Sequence, residues 1–337
     1  MDSGINVAVV GATGAVGEAL LELLSEREFP VDQMYPLASQ RSLGKTVIFR
    51  KRPYDVERLD EFDFSQADIA FFSAGADVSA EFAPLAVNCD CIVIDNTSHF
   101  RTYDEIPLVV PEVNAHALQR HDGIISNPNC STIQMVVALK PIYDAVGIRR
   151  IHVSTYQAVS GAGKRAVEEL ASQTASLLSG RSVTAETHLK QISFNAVPAI
   201  GPLQDNGYTH EEMKMVWETR KILEDEAIEV NPTAVRIPVF YGHSEALHVE
   251  TLEPISTEKA CHLLQNAPGV VLMGDDAVFD FPTAVTEGTG TDGVYVGRVR
   301  ADLSCDNALN MWVVSDNIRK GAALNSIQIA ELLTGNN

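Results

Sequence analysis

Ile5-Asn6-Val7-Ala8-Val9-Val10 runs straight into Gly11-Ala12-Thr13-Gly14-Ala15-Val16-Gly17, and Leu20, Leu21, Leu23 and Leu24 follow at helical spacing. A near-continuous apolar run is what a central parallel strand, covered on both faces, requires. Glycines at the turn let the backbone approach a pyrophosphate, and the start of the next helix offers it N–H groups. Strand, glycine-rich turn and helix together predict a dinucleotide-binding βαβ unit. The spacing is G-x-x-G-x-x-G, looser than G-x-G-x-x-G, so its weight comes from its place between strand and helix.

The next strand is expected at Met34–Ala38, and its end bears on which dinucleotide is bound. An acidic residue there would hold the ribose hydroxyls of NAD. The sequence instead reads Ser39-Gln40-Arg41-Ser42, while Asp32 precedes the strand in Phe29-Pro30-Val31-Asp32. Arg41 and Ser42 suit a 2′-phosphate, which selects NADP over NAD; the competing reading makes Arg41 a solvated loop residue. Asp68–Ala74 and Cys91–Asp95 read as further buried strands with a helix over Ala80–Val87 between them. Alternating βαβ units give a parallel, doubly wound sheet of the Rossmann type. These strands end in Ser73-Ala74-Gly75 and Asn96-Thr97-Ser98, at the carboxyl edge where such sheets bind ligands. Arg101 lies just beyond, placed to hold a phosphate or carboxylate bidentately, with a surface ion pair as the default.

A second stretch carries chemistry. Gly123-Ile124-Ile125 reads as a short strand, Ser126-Asn127-Pro128-Asn129-Cys130-Ser131-Thr132 follows, and Ile133, Met135, Val136, Val137 and Leu139 continue as a helix. Pro128 and Asn129 force a turn, so Cys130 falls in the first helical turn, where unpaired N–H groups favour a thiolate. The bland reading is a small buried hydrophobe. The domain boundary is expected here, placing Cys130 at a cleft: residues 1–129 with 318–337 form one domain and 130–317 the other.

Composition narrows the function. A chain of 337 residues accommodates two cores. Its net charge of −20 argues against nucleic acid and leaves any anionic substrate to a few local cations. Five cysteines without a disulfide framework suggest a reducing cytoplasm, and no apolar run approaches the roughly 18 residues of a membrane span. No metal site is expected. Cys89 and Cys91 supply too few ligands, and His243 and His248, five apart on a strand, point to opposite faces.

Beyond Arg149 the pattern changes. Ile151–Val159 alternates polar and apolar, as an antiparallel strand with one exposed face does. Ser160-Gly161-Ala162-Gly163-Lys164 is either an anion contact or a flexible join, and a helix runs on through Leu178. Thr209-His210-Glu211-Glu212 has capping-box spacing; Glu211, Lys214 and Glu218 share a helix face, by spacing alone a solvated i,i+3 salt bridge. Thr233–Tyr241 and His243–Leu252 read as strands broken by Pro238 and Gly242, so pleat counting leaves open whether Arg236 and His243 share a face. Val294–Val299 and Leu309–Val314 complete a mostly antiparallel sheet, and a helix over Ala322–Leu333 returns to the first domain. The expected architecture is α/β: a doubly wound parallel sheet plus an α+β domain. A thiol at a helix start beside a nicotinamide carrier has one economical use, acyl reduction or aldehyde oxidation through a thioester.

The chain resembles the bacterial aspartate-β-semialdehyde dehydrogenases over essentially its full length. Beyond the Gly11–Gly17 and Asn127–Thr132 stretches, Asn96–Arg101, Val110–Asn114, Gln157–Gly163, Arg236–Val239 with Tyr241–Ser244, and Asp316–Ala322 carry the likeness. The resemblance implies NADPH-dependent reduction of L-aspartyl-4-phosphate to L-aspartate-4-semialdehyde and phosphate, ahead of lysine, threonine, methionine and diaminopimelate. It implies Cys130 as nucleophile, His243 as proton shuttle and Gln157 as substrate orienter. Arg236 clamps the α-carboxylate, Glu211 meets the α-amino group, and Arg101 and Lys214 hold phosphate. By the same resemblance Gly11, Thr13, Gly14, Ala15, Val16, Arg41, Ser42, Ser160, Gly161 and Asn317 would contact NADP, and the protein would be a homodimer through its second domain. On chemical grounds, backbone N–H groups at Cys130 and beyond are expected to stabilise the oxyanion. The alternatives are N-acetyl-γ-glutamyl-phosphate reductase, whose substrate leaves Glu211 without a purpose, and a non-catalytic paralogue.

Overall fold

Val7, Ala8, Val9 and Val10 have no exposed surface, which makes the first strand central. The structure, a computed structural model, describes residues 4–274 and 280–335. By contacts the chain divides into residues 1–128 with 322–337, and 129–321.

In the first unit β1 (Ile5–Val10), β2 (Val31–Ala38), β3 (Glu57–Arg58), β4 (Ile69–Phe72), β5 (Ile92–Asp95) and β6 (Ile124–Ser126) pair in the order β3-β2-β1-β4-β5-β6. Every pairing is parallel. Val7, Val9, Phe71 and Ile94 pack with the leucines of the Ala15–Glu26 helix and with Leu324, Ile327 and Ile329 of the C-terminal helix. Ala8, Val10, Phe72 and Val93 pack on the other face with Ala83 and Ala86 of the Ala76–Val87 helix. Consecutive strand residues thus serve opposite layers, the reason these strands are apolar throughout. β2 begins at Val31, earlier than expected, and pairs Ile5 with Val31 and Val10 with Leu37. Asp32 therefore lies in the strand, exposed, at the end away from Gly11.

In the second unit β7 (Ile148–Gln157), β8 (Glu229–Arg236), β9 (His243–Thr251), β10 (Val270–Leu272), β11 (Val294–Ala301) and β12 (Ala308–Ser315) form a sheet ordered β8-β7-β9-β12-β11-β10. β7–β8 and β10–β11 are parallel; the other pairings are antiparallel. β7 is thus antiparallel to one neighbour only, and its alternation reports its two faces rather than its pairing. β8 stops at Arg236, short of the strand expected to Tyr241, because Pro238 cannot donate to a ladder. The Cys130–Val146 helix packs on the inner face, whose Ile151, Val153, Leu247 and Val249 are at most 2% exposed. Among the described residues, no helix is long and apolar enough to cross a membrane.

Candidate active site

Cys130 opens its helix because Asn129 caps it. Asn129 is extended (φ −63°, ψ 142°), and its Oδ1 accepts from the N–H groups of Ser131 at 3.0 Å and Thr132 at 3.4 Å. Those two donors are thereby engaged, so the oxyanion role expected of the N–H groups following Cys130 is not open to them. Cys130 itself is partly exposed. Asn129 also ties the turn to the His210–Leu223 helix: its N–H donates to Glu218 Oε2 at 2.6 Å and its Nδ2 to Glu211 Oε1 at 2.8 Å.

Glu211 is a hub. It accepts from Asn129, from Gln157 Nε2 at 3.2 Å and from Lys214 Nζ at 3.0 Å. The Glu211–Lys214 pair expected on a solvated surface is largely enclosed, with side chains 12% and 19% exposed. Burial alone would raise the Glu211 pKa, but the Lys214 charge and the three hydrogen-bond donors outweigh it and hold it at about 2. The carboxylate is ionised. Gln157 in turn accepts from Thr155 Oγ1 at 2.9 Å, which fixes its amide orientation.

Arg236 and His243 meet at Ala158. Arg236 Nη1 donates to Ala158 O at 2.6 Å, and Ala158 N–H donates to His243 Nδ1 at 3.0 Å. A Cβ added at Gly161 would lie 3.0 Å from Arg236 Nη1 and 3.3 Å from His243 Nε2, so the two side chains converge under that glycine. The bend over 237–242 brings together what pleat counting left open. Burial depresses the Arg236 pKa, partly offset by the charges of Glu211 and Cys130. His243 is fully buried, and burial together with the Arg236 charge brings it down to about 3. It is a neutral imidazole. Because a backbone N–H can only donate, Nδ1 must accept, and the ring proton sits on Nε2. That buried Nε2–H has no hydrogen-bond partner among the described residues. Nearby, Asn317 Nδ2 donates to Ser160 Oγ at 2.9 Å and Gly242 N–H donates to Asn317 Oδ1 at 2.9 Å.

The first unit holds the remaining candidates. Gly11 has φ +90°, and a Cβ there would meet Ser73 Oγ at 2.9 Å. Gly14, at the N-cap of the Ala15–Glu26 helix, has no side chain with which to cap the N–H groups of that first turn, to which Ala15 and Val16 belong. Thr13 Oγ1 lies 3.2 Å from Ser42 Oγ; Ser42 is buried and Arg41 exposed in the turn after β2. This cradle fits a dinucleotide diphosphate. Arg101 is 7% exposed and donates Nη2 to Asn96 O at 2.8 Å, so it is not the surface ion pair taken as its default.

The sequence reading missed Glu245 and the anchoring role of Glu218. Glu218 follows Glu211 by two helical turns, a signal that was visible but assigned to solvent. Glu245 is fully buried on β9, and neither carboxyl oxygen has a hydrogen-bond partner among the described residues. Burial pushes its pKa well up, and the Gln134 amide of the Cys130 helix offsets only part.

Comparison with known proteins agrees with this architecture. Residues 6–121 match the family described as semialdehyde dehydrogenase, NAD binding domain, and residues 139–320 match semialdehyde dehydrogenase, dimerisation domain. The aspartate-semialdehyde dehydrogenase of Shewanella sp. (strain DB6705) is 57% identical over 99% of this chain and 98% of its own. The crystal structure of aspartate semialdehyde dehydrogenase II from Vibrio cholerae, complexed with ASA, is 57% identical and superposes with a TM-score of 0.96 over 99% of both chains. That of Candida albicans, solved with NADP, is 26% identical with a TM-score of 0.75 over 99% of both. A parallel dinucleotide-type sheet, a capped cysteine at a helix start and full-length identity of this order have one common source: the chain belongs to the aspartate-semialdehyde dehydrogenase family.

Proposed function

We propose that this chain catalyses the reversible, NADPH-dependent reduction of L-aspartyl-4-phosphate to L-aspartate-4-semialdehyde and phosphate, the step leading to lysine, threonine, methionine and diaminopimelate. The observation that carries the substrate assignment is Glu211. It is an enclosed, ionised carboxylate hydrogen-bonded to Asn129, the residue preceding Cys130. A substrate with a free α-ammonium gives that charge a purpose; an N-acetylated one does not.

Cys130 Sγ attacks the acyl carbon, the carbon–oxygen bond to phosphate breaks, and a thioester forms. Arg236 engages the α-carboxylate, Gln157 orients the substrate, and Arg101 and Lys214 hold phosphate. The nicotinamide, when bound, supplies the hydride. His243 then acts through Nε2–H, donating a hydrogen bond to the oxygen on the sulfur-bearing carbon as negative charge collects there. Collapse breaks the carbon–sulfur bond and returns Cys130 as thiolate. Because Nε2 already carries its proton, His243 does not take one from the thiol; Cys130 enters the reaction ionised. This replaces the proton shuttle of the resemblance with a fixed electrophile.

Gly11, Thr13, Gly14, Ala15 and Val16 suit the diphosphate, and Arg41 and Ser42 a 2′-phosphate. Asp32, the one acidic candidate for NAD, lies at the far end of β2 from Gly11. Ser160, Gly161 and Asn317 complete the cofactor contacts. The dimerisation-domain match supports a homodimer, and the cysteine usage a cytoplasmic home.

The test is purified protein with aspartate semialdehyde, inorganic phosphate and NADP, followed by NADPH formation. NADP should support faster turnover than NAD. Turnover with N-acetyl-glutamate semialdehyde but none with aspartate semialdehyde overturns the substrate assignment.

A further inference from the structure

The outer face of the second sheet carries a group the reaction does not use. His152 on β7 pairs in register with His248 on β9, and Glu250 follows His248 by two residues. Period two puts His248 and Glu250 on one face, and register puts His152 beside them. The two rings are 5.5 Å apart, and one ligand atom from each of the three residues lies within 4.8 Å of the others.

The His248 ring is already set up as a ligand. Its Nε2 lies 3.3 Å from Asp302 Oδ2, which holds the ring proton at Nε2 and leaves a lone pair on Nδ1. Among the described residues, that Nδ1 is buried without a hydrogen-bond partner. Asp302 is braced by Asn310 Nδ2 at 2.9 Å and Ser304 Oγ at 2.7 Å. A carboxylate behind a histidine is the arrangement that orients imidazole ligands in metal sites.

Glu250 has an oxygen to give. Its Oε2 pairs with Arg149, whereas Oε1 meets Arg150 at 3.2 Å and lies 4.0 Å from His152 Nε2. Arg150 also donates Nε to Glu229 at 2.6 Å, so releasing Oε1 does not leave it unpaired. His152 Nδ1 rests on the Asn231 amide at 3.0 Å; turning that amide over lets Oδ1 accept from Nδ1–H and frees Nε2. Zinc binds imidazole nitrogen and carboxylate oxygen at roughly 2.0–2.2 Å, so these groups must close by about an ångström.

We propose that His152, His248 and Glu250 form a binding site for a divalent transition ion of the zinc class, with Asp302 orienting His248 and water in the fourth position. His₂Glu is a ligand set zinc accepts. The site is distinct from Cys130 and its partners and independent of the catalytic assignment.

The probe is Zn²⁺, titrated calorimetrically into chelator-treated full-length protein whose thiols have been alkylated, so that no cysteine competes. One equivalent per chain is expected. His248→Ala and His152→Ala should each abolish it, and Asp302→Asn should weaken it by about 10–100-fold. The His152 side chain is 43% exposed, so its alanine variant tests the site without disturbing the core. Absence of binding, or an undiminished equivalent in either histidine variant, overturns the proposal. Unchanged affinity in Asp302→Asn removes Asp302 from it.

Discussion

The two faces of the second sheet share strands and differ in everything else. On β7 and β9, Gln157, His243 and Glu245 point inward and are at most 1% exposed, while His152, His248 and Glu250 point outward. Inside, the ionisable groups are strongly shifted: His243 is brought down to about 3, burial raises Glu245, and Glu211 beside Gln157 is held at about 2 because donors surround it. Outside, burial is the largest single influence on Glu250 and raises its pKa, but Arg149 and Arg150 together outweigh it and bring it below its usual range. One pleat separates groups that water can stabilise from groups that only fixed dipoles can. The inner face can therefore pre-set the charge around a reacting thiol. The outer face keeps groups that can exchange partners.

The largest way to break this contrast is at the sulfur. Cys130→Ala should take turnover to the assay floor while NADP affinity, measured by fluorescence titration, stays within about twofold. Turnover that survived would remove the thioester and with it the purpose of the inner arrangement. Next comes the tautomer. His243→Ala should lower kcat by about 10²–10³, the usual effect of losing one oxyanion donor. His243→Gln, whose amide N–H reaches toward the position of Nε2, should recover at least about tenfold of that. A residue acting as a general base gains nothing from an amide, so a glutamine variant as slow as alanine restores the proton shuttle.

Glu245 sharpens the comparison through stability. Its folded pKa lies above the unfolded value, so the folded state holds the proton more tightly. That stabilisation is full below the unfolded pKa of about 4.5 and falls by about 1.4 kcal/mol per pH unit until the folded pKa is passed. Glu245→Gln has no proton to lose. Its Tm should exceed the parent's at pH 8, and the gap should close toward pH 5. Glu211 runs the other way, stabilising above pH 4.5 and losing that contribution as pH falls toward 2. A Glu245→Gln variant that is less stable at high pH would mean that the inner carboxylate is ionised and paired after all.

What could be read in advance was what short range dictates. Pro128-Asn129 before Cys130 is a local cap signal, and the apolar run before Gly11 is a local strand signal; both stand in the structure. Asp32 was expected ahead of the strand but lies within it, because a strand start one pleat long looks like a loop in sequence. Arg236 and His243 could not be assigned to a face because the 237–242 bend breaks the period on which such assignments depend. The Glu211–Lys214 pair looked solvated because helical spacing records neighbours, not what covers them. His152 with His248 was invisible for a different reason. Their partnership is a matter of strand register, fixed by contacts between segments almost a hundred residues apart, and no window on the chain contains both.

The smallest expected effect is also the most specific. Arg150→Ala removes two ion pairs, to Glu229 and Glu250, from a partly exposed arginine, so it should leave kcat unchanged and move Tm by no more than about 1–2 °C. The same change withdraws the competitor for Glu250 Oε1, the oxygen facing His152. If that oxygen is a ligand, Arg150→Ala should tighten Zn²⁺ binding several-fold in the titration that His248→Ala abolishes. Two substitutions on one exposed face would then shift metal affinity in opposite directions with the chemistry at Cys130 untouched. Unaltered affinity in Arg150→Ala would mean that Glu250 Oε1 is not a ligand and would remove Glu250 from the proposed site.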